Sequence, residues 1–306
     1  MTWLPETFVC GVEDPEKISP QTYQSAYHEA VTLLQQAGVE HPAQEAMWLL
    51  EAGLGISRLS VYAKPNVPVP AGAWTSTLAL LHRRVGHEPL QYILGSQEFR
   101  GLSFAVRKGV FIPRPETELL VDEVVGHYQE SGPVYLADIG TGSGCLGISM
   151  AKEIPGSFVF AIDRSALVLE TAKHNAIRHS VGDRMRFLEG DLAEPLFSKG
   201  LTEAIDCIVS NPPYIPTSTL SNLPSTIRDF EPVTALDGGI EGLDFYRRLL
   251  RETTTLLKPG GRLVMELGEG QETPVRAMVM EQNDYQVCRV QKDQAGISRI
   301  LCLQRK

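Results

Sequence analysis

The chain has 306 residues, of which 43% are hydrophobic, enough for a sizeable core and for two domains rather than one. No run of about eighteen apolar residues exists to span a membrane, and the opening MTWLPETFVCGVEDPEK lacks the basic and apolar segments of a secretory signal. The net charge of −9 is spread over both halves without a basic stretch, which argues against binding a nucleic-acid duplex.

Residues 1–20, rich in proline and acidic side chains, read as a flexible lead-in. From Gln21 to Ala37 the residues Tyr23, Ala26, Tyr27, Ala30, Leu33, Leu34 and Ala37 recur at helical spacing, and Gly38 ends that helix. A second helix is predicted from Pro42 to Ala52, and a third around Trp74, Leu78, Leu81 and Val85, with the proline-rich KPNVPVP loop between them. Residues 21–86 thus read as a small helical bundle, followed by a linker with extended segments over 87–110.

From residue 111 onward strands and helices alternate. VYLADI (134–139), FVFAI (158–162), MRFL (185–188), IDCIVS (205–210) and RLVMEL (262–267) read as buried strands. The segments Cys145–Glu153, Ser165–Arg178 and Phe245–Leu257 read as helices, and Tyr285–Val290 with Ser298–Leu303 as a closing hairpin. Such alternation predicts a parallel sheet covered on both faces. Five cysteines without a CxxC pair, and histidine pairs (His82/His87, His174/His179) spaced five apart, predict neither a disulfide framework nor a metal site.

Chemistry concentrates after two of the strands. Asp138-Ile139-Gly140-Thr141-Gly142-Ser143-Gly144 ends the first strand of the alternating region and opens a helix; glycines there let the backbone turn sharply and approach a ligand. Gly142 through Gly147 also fits the dinucleotide pattern GxGxxG, which is weak evidence alone. The aspartate two residues before three alternating glycines resembles instead the cofactor loop of class I methyltransferases. Asp163, at the end of the next strand, is placed to accept hydrogen bonds from a ribose in either case. Asp191, after the third strand, is placed on the adenine side.

Asn211-Pro212-Pro213-Tyr214 directly follows the fourth strand. It resembles the NPPY motif of enzymes that methylate planar amide or amino nitrogens. An amide nitrogen is a poor nucleophile because its lone pair is delocalised into the carbonyl. The Asn211 side-chain oxygen and the Pro212 carbonyl can each accept one of its N–H groups, prolines keep the acceptors aimed, and Tyr214 can pack on the planar group. These residues are therefore the expected catalytic (Asn211, Pro212, Tyr214) and substrate-binding (Asn211 to Tyr214) set.

Four further stretches carry a closer likeness: RRVGHEPLQYILGSQEFRGLSFAV (83–106), FIPRPETELLVD (111–122), EPVTALDGGIEGLDFYRRLL (231–250) and LKPGGRLVMELGEGQ (257–271). With them the chain resembles the HemK/PrmC family of protein-(glutamine-N5) methyltransferases from about residue 20 to its end. The resemblance implies an α/β fold: a class I, Rossmann-like, seven-stranded S-adenosylmethionine-dependent methyltransferase domain (111–306) preceded by a small α-helical bundle that recognises substrate. It implies S-adenosyl-L-methionine as cofactor, S-adenosyl-L-homocysteine as product, and the glutamine of the GGQ motif in peptide chain release factors as substrate. A glutamine of a ribosomal protein, or a DNA or RNA amino group, is the alternative. Gly140, Thr141, Gly142, Ser143, Gly144, Asp163, Leu192 and Asn211 are then the cofactor residues, and no metal is required. Leu192 stands where some family members carry an aromatic residue against the adenine. Arg114, Glu116 and Glu118 are expected at the substrate entrance. The implied protein is a cytoplasmic monomer with no direct nucleic-acid or membrane partner.

Overall fold

The computed structural model describes residues 22–70 and 72–306. The expected lead-in, Gln21 and Cys10 lie outside these residues. The chain divides into two compact units, the first ending at Leu94 and the second running Gly95–Lys306.

The first unit is a helical bundle of α1 (Tyr23–Gln36), α2 (Pro42–Leu54), α3 (Arg58–Ala63), α4 (Ala73–Val85) and α5 (Leu90–Leu94). Thr22 and Ser25 form a reciprocal capping box at the start of α1, and Gly55 closes α2 in the left-handed conformation. Ala26, Ala30, Leu34, Leu49, Leu50, Trp74 and Leu81 fill the core; each fully buried leucine contributes about 1.5–3 kcal/mol. The bundle was expected to end at residue 86. It extends to Leu94, because α5 buries Leu90 and Ile93 in the same core.

The second unit opens with a hairpin, β1 (Ser96–Phe99) and β2 (Leu102–Ala105), so the expected 87–110 linker is divided between the two units. Then follow α6 (Glu118–Tyr128), β3 (Val134–Ile139), α7 (Cys145–Glu153), β4 (Ser157–Asp163), α8 (Ala166–Arg178), β5 (Met185–Glu189), α9 (Glu194–Ser198), β6 (Ile205–Ser210), α10 (Ser225–Arg228), α11 (Asp244–Thr253), β7 (Leu257–Glu266), α12 (Glu272–Gln282), β8 (Tyr285–Lys292) and β9 (Ser298–Arg305). The strands form one seven-stranded sheet in the order β5-β4-β3-β6-β7-β9-β8. β5, β4, β3, β6 and β7 pair in parallel, and β9 runs antiparallel to both its neighbours.

Two apolar cores sandwich the sheet. One holds α6, α7 and the β1–β2 hairpin (Phe99, Phe104, Leu120, Ile148), the other α11 and α12 (Tyr246, Leu249, Leu250, Val275). This is the expected doubly covered α/β sheet. The helix expected over 245–257 stops at Thr253, and Leu257 already pairs with Ile205 in the sheet. Leu256 and Leu257 are both fully buried, so the apolar run continues across a change from helix to strand.

β4 and β5 build the sheet outward on one side of β3, β6 and β7 on the other. The strand order therefore reverses at β3, and ligands bind such sheets at the carboxyl ends of the strands flanking that point.

Candidate active site

The carboxyl ends of β3 and β6 are neighbours, tied where Ser210 Oγ donates to the Ile139 carbonyl at 2.8 Å. The glycine loop leaves one strand and the Asn211–Tyr214 turn leaves the other. Both open on a cavity of about 300 Å³ that is also lined by Phe111, Arg114, Thr117, Asp163, Asp191 and Leu192.

The loop is held from beneath. Gly140 and Thr141 N–H groups donate to the Ile162 carbonyl at 2.9 and 2.8 Å. The fully buried Asp138 accepts from Thr141 Oγ1 at 2.7 Å and Gly147 N at 3.0 Å on a single carboxylate oxygen. Burial pushes its carboxyl up to about 6. Gly140, Gly142 and Gly144 all have φ between +56° and +85°. At Gly142 a side chain would enter open space, so its glycine keeps the cavity floor clear. Gly144 differs. It is the member of the expected cofactor loop that does not line the cavity, and a side chain there would meet Ile148 at 2.9 Å and Ala172 at 3.2 Å.

Asp163 accepts from Gly142 N at 3.2 Å on one oxygen and from Ser165 N at 3.1 Å on the other. Burial raises its carboxyl above the usual range. Its remaining lone pairs suit a vicinal diol. Leu192 lines the same cavity with φ of +46°, a conformation rarely taken by a branched side chain. Asp191 also lines it, while one of its oxygens accepts from Arg248 at 2.8 Å.

The Asn211–Tyr214 turn is clamped by later segments. Ile215 donates to the Leu236 carbonyl and accepts from Gly238 N, and Gln271 Nε2 donates to the Tyr214 carbonyl at 2.9 Å. Side chains close the network: Asn211 Nδ2 donates to Thr117 Oγ1 at 3.1 Å, Thr117 Oγ1 donates to Glu266 Oε2 at 2.7 Å, and Tyr214 Oη donates to Glu266 Oε1 at 3.2 Å. Glu266 is buried at the end of β7, and burial pushes its carboxyl up to about 7.

Arg114, also in the lining, pairs with buried Glu231, which accepts from Ile112 N at 3.2 Å, and the Arg114 guanidinium lies 4.8 Å from the centre of the Phe111 ring. Of the three residues expected at the substrate entrance, Arg114 lines the cavity and Glu116 and Glu118 do not; Glu118 accepts instead from the Arg100 N–H at 2.8 Å. Thr117, Phe111, Glu231 and Glu266 were not singled out in the sequence. The available signal for Glu266 was a carboxylate closing an apolar strand, RLVMEL. Among the described residues no cluster of three or more His, Cys, Asp or Glu side chains could hold a metal ion, and no helix is long and apolar enough to cross a membrane.

Comparison with known proteins agrees with this architecture. Residues 25–95 match the model of the PrmC N-terminal domain, and residues 131–304 match that of a methyltransferase domain. A release factor glutamine methyltransferase of Geobacter sulfurreducens is 41% identical over 88% of this chain and 91% of its own length. Another, from Moorella thermoacetica, is 38% identical over 93% and 99% respectively. Among solved structures, a methyltransferase from Pyrococcus furiosus aligns with a TM-score of 0.50 at 19% identity, covering 67% of this chain and 90% of that one. The hMettl16 catalytic domain, crystallised with an RNA hairpin, aligns with a TM-score of 0.53 at 17% identity, covering 75% and 80%. These two likenesses show the fold alone. The identity to the curated relatives over nearly the whole chain shows the family: this protein belongs to the release factor glutamine methyltransferases.

Proposed function

We propose that the chain transfers the methyl group of S-adenosyl-L-methionine to the N5 amide nitrogen of the glutamine in the GGQ motif of peptide chain release factors. The observation that carries this reading is the opening of the glycine loop and the Asn211–Tyr214 turn on one cavity from adjacent strand ends.

The residues present fit the cofactor. Gly140 and Gly142 hold positive φ without side chains, Asp163 offers two carboxylate oxygens for the ribose, and the buried Ser143 lines the same cavity. Leu192 supplies an apolar face for the adenine. Bound there, the cofactor supplies an electrophilic methyl group on a positively charged sulfur, and S-adenosyl-L-homocysteine is the product.

The chain's own residues do the rest. Asn211 Oδ1 and the Pro212 carbonyl accept the two N–H groups of the glutamine amide, so the nitrogen is held and its pyramidal, more nucleophilic form is favoured. Pro212 and Pro213 keep the acceptors aimed, and Tyr214 packs on the planar group. No dedicated base is needed, because the methylated amide sheds its proton once positive charge has developed. Water is kept off by the apolar lining from Phe111, Leu146, Ile215 and Leu236. The alternative substrates are not favoured: the relatives carry the release-factor name, and the chain has no basic stretch for nucleic acid. The same reading makes the protein a monomer, and substrates of this kind would place it in the cytoplasm.

Incubating the protein with a release factor and labelled cofactor, then locating the label by mass spectrometry, tests the reading; a label on any residue but the GGQ glutamine would refute it. Asn211→Ala is expected to lower turnover by about 100-fold or more while cofactor affinity, read by calorimetry, is largely kept. Loss of cofactor affinity with unchanged turnover per bound complex would mean that Asn211 serves the cofactor and does not hold the substrate amide.

A further inference from the structure

The Asn211 side chain can work as an acceptor only in one of its two flipped orientations, so something must choose between them. If its NH2 faced the substrate amide, donor would meet donor. Asn211 itself is half-buried, and the hydrogen-bonded protein neighbour of its side chain among the described residues is Thr117 Oγ1, at 3.1 Å. A hydroxyl has one proton. Wherever Thr117 sends it, the other side of its oxygen must be met by a donor.

That proton goes to Glu266 Oε2 at 2.7 Å. Thr117 is 2% exposed and Glu266 likewise, so water does not compete for either. Tyr214 donates to the other carboxylate oxygen at 3.2 Å. An ionised carboxylate can only accept, so both hydroxyl protons are fixed toward it and Thr117 Oγ1 is left as an acceptor for Asn211 Nδ2. The amide oxygen then faces the other way, and Asn211 lines the cavity.

We propose that Thr117 and Glu266 are positioning residues whose relay of hydrogen bonds fixes the flip of the Asn211 amide, so that its oxygen is presented to the substrate nitrogen. This deepens the reading above and rests on it.

The relay has a polarity that one proton reverses. A protonated Glu266 can donate to Thr117 Oγ1; the Thr117 hydroxyl must then donate elsewhere, and the Asn211 amide oxygen becomes its partner. The NH2 turns to the substrate and the site loses its acceptor. The groups facing Glu266 are Thr117 and Glu116 from the segment before α6, Tyr214 after β6, and Arg299 on β9. Tyr246 from α11 donates to its backbone carbonyl at 3.0 Å, and the Cys145 thiol at the start of α7 feels its charge. Arg299 is itself paired with Asp293 at 2.8 Å. Burial outweighs these, and the carboxyl is pushed up to about 7. Ionised relay, and with it activity, is therefore present above about pH 7 and lost as pH falls through that value.

The test is methyl transfer to a release factor across pH 5.5–9 (about the range over which such a group titrates), with cofactor affinity measured alongside. Thr117→Val, which keeps the shape and deletes the hydroxyl, is expected to lower kcat at saturating cofactor by about tenfold or more at pH 8. Thr117→Ser is expected to restore it to within about threefold of the parent, and neither should move cofactor affinity. Glu266→Gln can still present its amide oxygen to Thr117 but cannot titrate, so the acid limb of the parent's pH profile should disappear. Thr117→Val as active as the parent, or an acid limb that survives in Glu266→Gln, would overturn the proposal. A serine variant no better than the valine one would do the same, since the role assigned is that of the hydroxyl. A parent chain that transfers nothing to glutamine overturns the functional reading, and this inference with it.

Discussion

Glu266 is the residue whose cost is easiest to state. Its carboxyl is held near 7 by burial in the folded chain, against an ordinary value of 4.5. The folded state therefore binds its proton more tightly than the unfolded state does. Stability from this group is fully present below the ordinary value and falls as pH rises from there through about 7. Above that pH the ionised group disfavours folding by about 3 kcal/mol, which the site tolerates because the charge sets the direction of two hydroxyls. Glu266→Gln should therefore melt higher than the parent at pH 8, with the difference shrinking toward pH 4.5, as read by calorimetric or circular-dichroism unfolding. Equal or lower melting at pH 8 would show that the ionised group is better solvated than its burial implies. The same residue marks a limit of sequence reading. The glycine loop and the Asn211–Tyr214 turn were legible because each packs its chemistry into a few consecutive residues with a characteristic order. Thr117 and Glu266 stand 149 positions apart, and nothing local to PRPETE or VMELGEG says that they share a proton. Leu192 is intermediate: its place after β5 was legible, its left-handed backbone was not.

Whole elements explain why the turn after β6 holds its shape. Stretch 231–250 looked in sequence like a family signature without a stated purpose; in the structure it wraps the motif. A side chain at Gly238 would lie 2.7 Å from Tyr214 Cα and 2.9 Å from the Pro213 carbonyl, and one at Gly242 would lie 2.3 Å from the Tyr214 carbonyl. Backbone is packed on backbone there, so only glycine fits. Gly238→Ala should displace the turn, costing about 1–3 kcal/mol of stability and lowering kcat more than cofactor affinity, because the glycine loop is built on other strands. Unchanged kcat in that variant would mean that the turn has slack which the packing does not suggest. Elements with a strong periodic signature were readable before the structure, above all the apolar runs of β3, β4 and β6 and the stripe of α1. Those with a faint one were not. α12 buries only Val275 and Val279, too few for a stripe, and α5 is five residues long. The boundary between α11 and β7 was hidden because Leu256 and Leu257 are apolar in either conformation.

At the scale of the molecule, the parallel order β5-β4-β3-β6-β7 does the organising, since it alone makes the ends of β3 and β6 neighbours although Ile139 and Ser210 stand 71 positions apart. A run of alternating strands and helices announced such a sheet, but no local pattern told the order of strands within it. Each residue that lines the cavity belongs to the second unit, from Gly109 onward. The bundle has a core of its own, and we propose that its task is one the small cofactor does not impose, namely gripping a protein substrate. A chain beginning at Gly95, the boundary set by the burial of α5, should bind S-adenosyl-L-methionine with affinity close to that of the full chain. Its KM for the release factor should rise by about tenfold or more, which corresponds to roughly 1.4 kcal/mol of lost binding. A short glutamine peptide, too small to reach beyond the cavity, should be methylated equally well by both chains. If the shortened chain lost cofactor and protein affinity in equal measure, the bundle would be a support for the catalytic unit. If the peptide and the release factor suffered alike, recognition would reside in the cavity alone.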